Sequence, residues 1–486
     1  MALLSPTLSQ PLTEGLKMKN IKHLKSVFLA ALVLTVAACT TVPKDGGINE
    51  VQRLVDQQLG AQDESSIISP EKALTTEDIR AILSAPISLK DAQRLSMQLN
   101  PMAKANILNV GIAEADYAQA GRMENPGFAL ERFNSETYSS SFLFDVGGVL
   151  LMPLKRSLEA RRLDSARYEA AGSVIEHLAN TRRAWIDAVA EGQQTRLVER
   201  ALESAATGNN MTRQMAALGH SGVVEAAESE MFLSEMRSGL AKQKLAADGA
   251  KEALIQLLGL WGNQARALTL PDELPPLPAT KLEIDSVEAQ AIANRIDVQM
   301  AKANLEGMAK NLSLTRKNPF LSAIELGAVT EKEEGEKARG YELEFRIPVF
   351  DAGGVKNRKA KIIFEQSQAQ AQAVAISAAS NARSALAAYN ANWEIVQHYK
   401  DQFLPLRQRI SQEQLLMYNG MLISVFDLLD DMRSAVGVEA GYVDAVRDFW
   451  LADTNLQQVL TGSGSMAMSF ASGSSMPSSG SGGEEH

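Results

Sequence analysis

The sequence is poor in the residues from which most protein sites are built. It has a single cysteine, Cys39, and aromatic residues make up 5% of its 486 residues. A lone cysteine excludes an intrachain disulfide and a zinc site made of several cysteines. The sequence has no glycine-rich phosphate loop and no HExxH motif, and its five histidines are isolated from one another: His23, His177, His220, His398 and His486. We therefore predict that the protein is not an enzyme and uses no cofactor and no metal.

Basic charge is also scarce. The formal net charge is -10 at pH 7 and the pI is near 5.3. Nucleic-acid binding needs a basic surface that this composition does not supply, so nucleic acid is excluded as a partner. The apolar run Val27–Ala38 is too short to cross a bilayer as a helix, which takes about 20 residues.

That apolar run belongs to a leader, residues 1–38. Three lysines precede it, and Val36-Ala37-Ala38 leads directly into Cys39. A basic region, a short apolar run and small residues form a secretory signal, and the cysteine makes the end resemble a bacterial lipobox. We therefore predict that Cys39 is lipidated and begins a lipidated N-terminal segment, residues 39–87. The residue after it is threonine rather than aspartate, which for such lipoproteins indicates the outer membrane.

Sequence similarity within the chain indicates a duplication. The pentapeptide MAKAN begins at Met102 and again at Met300, and Gly219 has a counterpart at Gly420. Other short matches follow in the same order. We infer two structural repeats, 88–262 and 285–461, a linker, 263–284, and a low-complexity tail, 462–486.

Each repeat reads as helix, two short strands and two long helices that meet near a glycine. No proline occurs from Leu154 to Met215, and apolar or small residues recur there at spacings of three and four. This is coiled-coil spacing. A helix of about 60 residues would be about 90 Å long at 1.5 Å per residue, which is too long for a compact domain.

The strands are expected near 127–152 and 320–350. From Tyr341 to Val349, apolar residues alternate with charged ones, and in the first repeat Phe142–Met152 shows a similar alternation. In a porin-like strand the apolar face meets lipid and the charged face meets water; here the charged residues of the second repeat are Glu342, Glu344 and Arg346. An edge strand of a soluble sheet fits the pattern equally well, but the lipid anchor favours the membrane. Four strands per chain cannot close a membrane barrel, which needs at least eight, so the chain must oligomerise.

The lipobox, the duplicated order of elements, IPVFDAGG from Ile347 and YNGMLISVFDLLD from Tyr418 together resemble the TolC-type outer-membrane factors. The resemblance implies a mainly α fold with a small membrane β-barrel: a homotrimer with a shared 12-stranded barrel and a long α-helical coiled-coil tunnel. It implies outer-membrane lipid, a periplasmic membrane-fusion adaptor and a proton-coupled inner-membrane pump as partners. The glycines would then mark hairpin turns at the tunnel tip, which we expect the adaptor to contact: Gly219, His220, Ser221, Gly222, Gly420, Met421, Leu422 and Ser424.

Two acids follow the second turn. Asp427 and Asp430 are three residues apart, so a helix presents both on one side. On sequence alone a solvated helix face is the simpler explanation, but the position resembles the aspartate rings of this family. The resemblance therefore implies that Asp427 and Asp430 form a periplasmic constriction that favours cations.

Three functions fit these observations. The leading one is the outer-membrane channel of a tripartite efflux pump, a passive exit duct for toxic small molecules or metal ions. The second is the outer component of type I protein secretion. The third is a structural coiled-coil lipoprotein without a pore. Conductance in bilayers separates the third from the first two.

Overall fold

The computed structural model of the chain describes residues 42–59, 74–132, 137–144, 146–317, 324–333, 336–345 and 354–462. The predictions made for the leader, Cys39, Arg346 and the tail beyond residue 462 fall outside these ranges. The described chain is mainly helical, as expected.

Four helices come first: α1 (Ile48–Leu59), α2 (Thr76–Leu83), α3 (Leu89–Leu99) and α4 (Pro101–Ala120). Asn100 separates the last two. Its side-chain oxygen accepts a hydrogen bond from the Met102 backbone N–H at 2.8 Å, and Pro101 takes the first helical position, where its missing N–H costs nothing. Asn100 therefore ends α3 and caps the start of α4.

Two strands and two long helices follow: β1 (Gly127–Arg132), β2 (Tyr138–Phe144), α5 (Val146–Ala217) and α6 (Val223–Leu258). With 72 residues, α5 is about 110 Å long at 1.5 Å per residue. The predicted strand Phe142–Met152 is wrong from residue 146 onward, because those residues are helical. The apolar residues there alternate over a short span, but they also fit a helical period, and the helix that continues beyond them decides between the two.

The second half begins with two short helices, and the first of them lies inside the predicted linker. Its elements are α7 (Asn263–Ala267), α8 (Val287–Asn294), α9 (Ile296–Lys317), β3 (Ile324–Glu333), β4 (Glu336–Phe345), α10 (Gly354–His398), a π-helical turn (Tyr399–Phe403), α11 (Leu404–Asn419) and α12 (Val425–Thr461). The order helix, two strands, long helix, turn, long helix thus occurs in both halves.

The four strands form one antiparallel sheet in the order β1-β2-β3-β4. Phe128 pairs with Phe142, Phe142 with Ala328, and Ala328 with Tyr341. Paired residues lie on the same face of a sheet, so these four form one row across it. Phe128 is 68% exposed and Tyr341 is 88% exposed. One face of the sheet therefore presents aromatic side chains that no described part of the chain covers.

The main hydrophobic core lies midway along the long helices. It joins α5, the end of α6, α10 and α12. Tyr389 and Phe449 are in contact, with ring centroids 5.3 Å apart, and the indole N–H of Trp185 donates to the Ile87 carbonyl at 3.0 Å. A second core joins α1, α4 and α5, and a small third core lies toward the turns. Among the helices in the described ranges, none is both long and apolar enough to cross a membrane.

Candidate functional site

The turn between α5 and α6 is built from backbone hydrogen bonds around Gly219. The His220 N–H donates to the Met215 carbonyl at 2.9 Å, and the Gly219 N–H donates to the Ala216 carbonyl at 3.1 Å. This pair of bonds defines a Schellman motif, whose C′ residue is left-handed. Gly219 takes that position with φ +76. The prediction of a glycine at this reversal is confirmed.

The first turn of α6 is capped by its own carboxylate. Gly222 is the N-cap residue, and Glu225 accepts hydrogen bonds from the Gly222 N–H at 2.9 Å and from the Ser221 hydroxyl at 3.0 Å. A carboxylate at this position also interacts favourably with the helix dipole. The residues predicted as the first tip, from Gly219 to Gly222, therefore form one compact turn.

The second turn has the same backbone but a different left-handed residue. The Leu422 N–H donates to the Met417 carbonyl at 2.9 Å, and the Met421 N–H donates to the Tyr418 carbonyl at 3.0 Å. The left-handed residue is Met421, with φ 58, whereas Gly420 has φ -80. The turn predicted at Gly420 is present, since α11 ends at Asn419, but the left-handed residue is Met421 and not the glycine. The Schellman hydrogen bonds fix the turn one residue later, and an exposed methionine takes the position that glycine usually fills.

Asp427 caps α12. Its carboxylate accepts from the Ser424 N–H at 2.8 Å and the Ser424 hydroxyl at 2.7 Å, while the Asp427 N–H donates to the Ser424 hydroxyl oxygen at 3.2 Å. This is a capping box. The hydroxyl and then the backbone N–H of Ser424 hold the pKa of Asp427 below its ordinary value. The first acid after the turn therefore has a structural role in addition to any role in a tunnel.

Asp430 is exposed and belongs to a connection between the two hairpins. It lies 3.6 Å from Arg433, which lies 3.3 Å from Glu235 of α6. The Arg433 guanidinium is also 4.4 Å from the centre of the Phe232 ring, in a cation–π contact. Leu429 packs beside Gly208 of α5. The acid pair therefore lies where α12 contacts the first hairpin.

Sequence reasoning missed the neighbouring acid, Asp431. It is only 8% exposed, forms an ion pair with Arg407 of α11, and accepts from the Ser411 hydroxyl at 2.8 Å. Arg407 and Asp431 lie on opposite arms of the second hairpin, and opposite charges on the two arms are the signal that could have revealed the pair. Both lie on the buried side of the second hairpin.

The two turns present apolar side chains to solvent. Val223 is 87% exposed and Met421 is 93% exposed, and Leu218 and Leu422 are also exposed. Apolar residues clustered at a protruding tip are typical of a contact surface for another protein. No group of metal-ligating side chains occurs in the described ranges.

Two of the three predicted lumen residues, Glu342 and Glu344, lie on β4. Positions 342 and 344 pair with Gly327 and Glu325 in the backbone register. Because strand positions alternate between faces, these positions belong to the face opposite Tyr341. The register thus separates an aromatic face from a face with acidic positions.

No protein-family model and no curated protein matches the chain, but solved structures match most of its length. CusC, studied for folding and transmembrane channel formation, is 17% identical and aligns over 77% of this chain and 92% of its own, with a TM-score of 0.64. The CmeC outer-membrane channel of Campylobacter jejuni is 14% identical, over 76% of this chain and 85% of its own, with a TM-score of 0.64. The outer-membrane channel OprN is 14% identical, over 82% and 95%, with a TM-score of 0.65. This chain therefore shares its fold with these outer-membrane channel proteins.

Proposed function

We propose that the protein is the outer-membrane channel of a tripartite efflux pump and forms a passive duct for toxic small molecules or metal ions. The observation that carries the proposal is the four-stranded sheet with two open edges, β1 and β4, attached to helices of unusual length. Open sheet edges need strands from another molecule. A helix of about 110 Å extends far from any membrane that holds the sheet.

A trimer satisfies the open edges of the sheet. When β1 of one copy pairs with β4 of the next, the contact is head-to-tail, and a head-to-tail contact forms a ring when the rotation between copies closes. Three copies of four strands give a barrel of twelve, within the range of membrane barrels. Phe128, Phe142 and Tyr341 would then face lipid, and positions 342, 344 and 346 would face the lumen. The two repeats would each supply half of a protomer's wall.

The remaining assignments follow from this arrangement. Cys39 would carry lipid and help to anchor the trimer in the outer membrane of a Gram-negative bacterium. The exposed apolar tips would contact a periplasmic adaptor, which connects the duct to a proton-coupled inner-membrane pump. Type I protein secretion uses the same architecture and stays the second candidate, whereas a coiled-coil lipoprotein without a pore leaves the two sheet edges unexplained.

Conductance of the purified protein in planar bilayers tests the proposal. We expect discrete channels that prefer cations, because three copies would place Asp427 and Asp430 around a narrow opening. Replacing Asp430 by alanine is the cleaner test of that opening, because Asp427 also caps α12. We expect Asp430→Ala to weaken cation preference, and Asp248→Ala, an exposed acid of α6, to leave it unchanged. Absence of any conductance would refute the duct.

Adaptor docking at the tips has its own test. A photocrosslinking residue at Met421 should capture the adaptor in cells that express the whole system. The matched control is Leu245, which is also exposed but lies far along α6 from the turn. Equal capture from both positions, or none from Met421, would contradict docking at the tip.

A further inference from the structure

The start of α10 carries a basic surface that the channel proposal does not explain. Its first turns read GVKNRKAKIIFE, with four basic residues and one acid, in a chain whose net charge is -10. We define the α10 basic face as Lys356, Arg358 and Lys359, all of which are exposed. The face follows β4, so it lies at the end of the helical region next to the sheet.

The same side of α10 exposes apolar side chains. Val355 is 78% exposed and Ile362 is 57% exposed. They are seven residues apart, which is about two helical turns. Arg358 and Lys359 lie between them, about one turn from each. Apolar side chains alternating with cations on one exposed helix side are typical of a helix that lies at the boundary of acyl chains and headgroups.

The cations of the α10 basic face are unfavourably placed relative to the dipole of their own helix. The N-terminus of a helix has a partial positive charge, so nearby cations are unfavourable. The first turn of α10 contains no acid, and within the described ranges Lys356, Arg358 and Lys359 form no ion pair. Of the four basic residues at the start of α10, only Lys361 has an acidic partner in the described ranges: Glu365, at 3.7 Å. The helix therefore gains nothing from this charge, and an external anion would remove the repulsion.

The corresponding region of the first repeat is different. Near the start of α5, Lys155 lies 3.0 Å from Glu124, and Arg162 lies 2.7 Å from Glu159. Those cations are neutralised within the chain. Arg156, also near the start of α5, donates to the Tyr117 hydroxyl at 3.0 Å. These cations of α5 thus have partners within the chain, whereas Lys356, Arg358 and Lys359 have no ion pair in the described ranges.

We propose that the α10 basic face binds anionic phospholipid headgroups in the leaflet that meets the periplasmic end of the sheet. The inference rests on the proposed membrane position of the sheet. Lysine and arginine next to a bilayer attract anionic lipid, while Val355 and Ile362 contact the acyl boundary. A soluble phosphate would account for the cations alone and leaves the two exposed apolar residues without a partner.

Lipid selectivity of the reconstituted full-length protein tests this. Wild-type protein is placed in vesicles of mixed phosphatidylglycerol and phosphatidylcholine, and spin-labelled lipids report the relative association of the two headgroups. A basic residue near an anionic surface is worth about fivefold in association. We expect wild type to prefer phosphatidylglycerol by roughly that factor, and the preference to decrease at high salt because salt screens exposed charges.

The variant is the triple change Lys356→Gln, Arg358→Gln and Lys359→Gln. Its matched control removes three cations from α6, far from the sheet: Arg237→Gln, Lys242→Gln and Lys251→Gln. We expect the triple α10 variant to bind both lipids about equally and the control to keep the wild-type preference. Unchanged preference in the α10 variant overturns the inference.

Two further outcomes separate the alternatives. If inorganic phosphate at constant ionic strength abolishes the preference, the face binds free phosphate, and the lipid assignment is wrong. If the wild-type protein does not insert into the mixed vesicles, the channel proposal fails and this inference fails with it. Insertion without headgroup preference overturns only the inference about α10.

Discussion

The two hairpin turns have the same backbone conformation but different residues. Gly219 and Met421 take the left-handed position, Gly222 and Ser424 the N-cap, and Glu225 and Asp427 the third helical position; each pair has the same separation in sequence. The backbone hydrogen bonds of the turns match. The geometry of the turn is therefore specified by its hydrogen bonds and its carboxylate cap, and glycine in the left-handed position is an aid rather than a requirement.

Below the turns the hairpins differ more. At the same separation, Ala205 and Ser229 of the first hairpin correspond to Arg407 and Asp431 of the second. Ala205, Ser229 and Asp431 are buried, and the Arg407 side chain is 13% exposed. The first hairpin has an unbroken α5, whereas the second has the π-helical turn Tyr399–Phe403 between α10 and α11. At these positions the first hairpin thus has small buried side chains, whereas the second has an ion pair between its two arms.

The largest effect is expected from breaking that ion pair. Asp431→Ala leaves Arg407 without its buried partner, which typically costs about 3–5 kcal/mol. Ser229→Ala, the corresponding change in the first hairpin, should cost far less. Hydrogen exchange measures the difference: the amides of α11 and of the first turns of α12 report Asp431→Ala, and those of the end of α5 and the first turns of α6 report Ser229→Ala.

A double variant sharpens the result. Arg407→Leu with Asp431→Ala removes both charges, so α11 should regain much of its protection. If Asp431→Ala and Ser229→Ala increased exchange equally, the second hairpin would not depend on its ion pair.

The second largest effect on stability is expected from exchanging the residues in the left-handed position of the two turns. A side chain other than glycine in this conformation costs roughly 1–2 kcal/mol, so Gly219→Met should weaken the first turn. Met421→Gly should strengthen the second by less, because glycine loses more entropy on folding. Limited proteolysis at the turns reports both, and equal cleavage of the two variants would contradict the assignment of Met421.

Replacing the N-cap serine of α12 should cost a similar or smaller amount of stability. Ser424→Ala removes the hydroxyl that binds Asp427, and loss of such a cap costs about 1 kcal/mol. The first hairpin has glycine in that position and depends on Glu225 alone. We expect faster amide exchange in the first turn of α12 and no change in α6; a change in both would mean that the turns are coupled.

The smallest effect concerns two carboxylates with opposite pKa shifts. Burial, together with Glu191 and Asp448, raises the pKa of Asp187 against the attraction of Arg447, whereas Ser424 lowers the pKa of Asp427. At pH 7 the fold disfavours ionised Asp187, so Asp187→Asn should raise the melting temperature, and Asp427→Asn should lower it.

The gain from Asp187→Asn should vanish below the ordinary pKa of an aspartate, because Asp187 is then protonated in both the folded and the unfolded state. The loss from Asp427→Asn should vanish only at a lower pH, below the depressed pKa of folded Asp427. The measurement is a melting curve at several pH values. A gain from Asp187→Asn that persisted at low pH would show that packing, and not charge, is responsible.

Much of this architecture was predictable from the sequence because the patterns that indicate it extend over many residues. The proline-free run after Leu154 predicted α5, and the matches around Met102 and Met300 predicted the repeated order of elements. The start of α5 was not predictable, because the few apolar residues before Met152 fit both a strand and a helix. Met421 was missed because its conformation depends on hydrogen bonds around the turn, and Asp431 because its partner lies on the other arm.

The most direct test of the central claim is whether the open edges β1 and β4 meet between copies. A cysteine is introduced on each edge, in place of Leu130 and Arg339, while Cys39 is kept because it is proposed to carry lipid. The membrane-extracted protein is then crosslinked with a short bifunctional thiol reagent. The account predicts bands of two and three copies and a ladder that stops at three. Either cysteine alone should give no trimer band. A protein that stays at one copy, or a ladder that continues beyond three, would contradict the closed trimer.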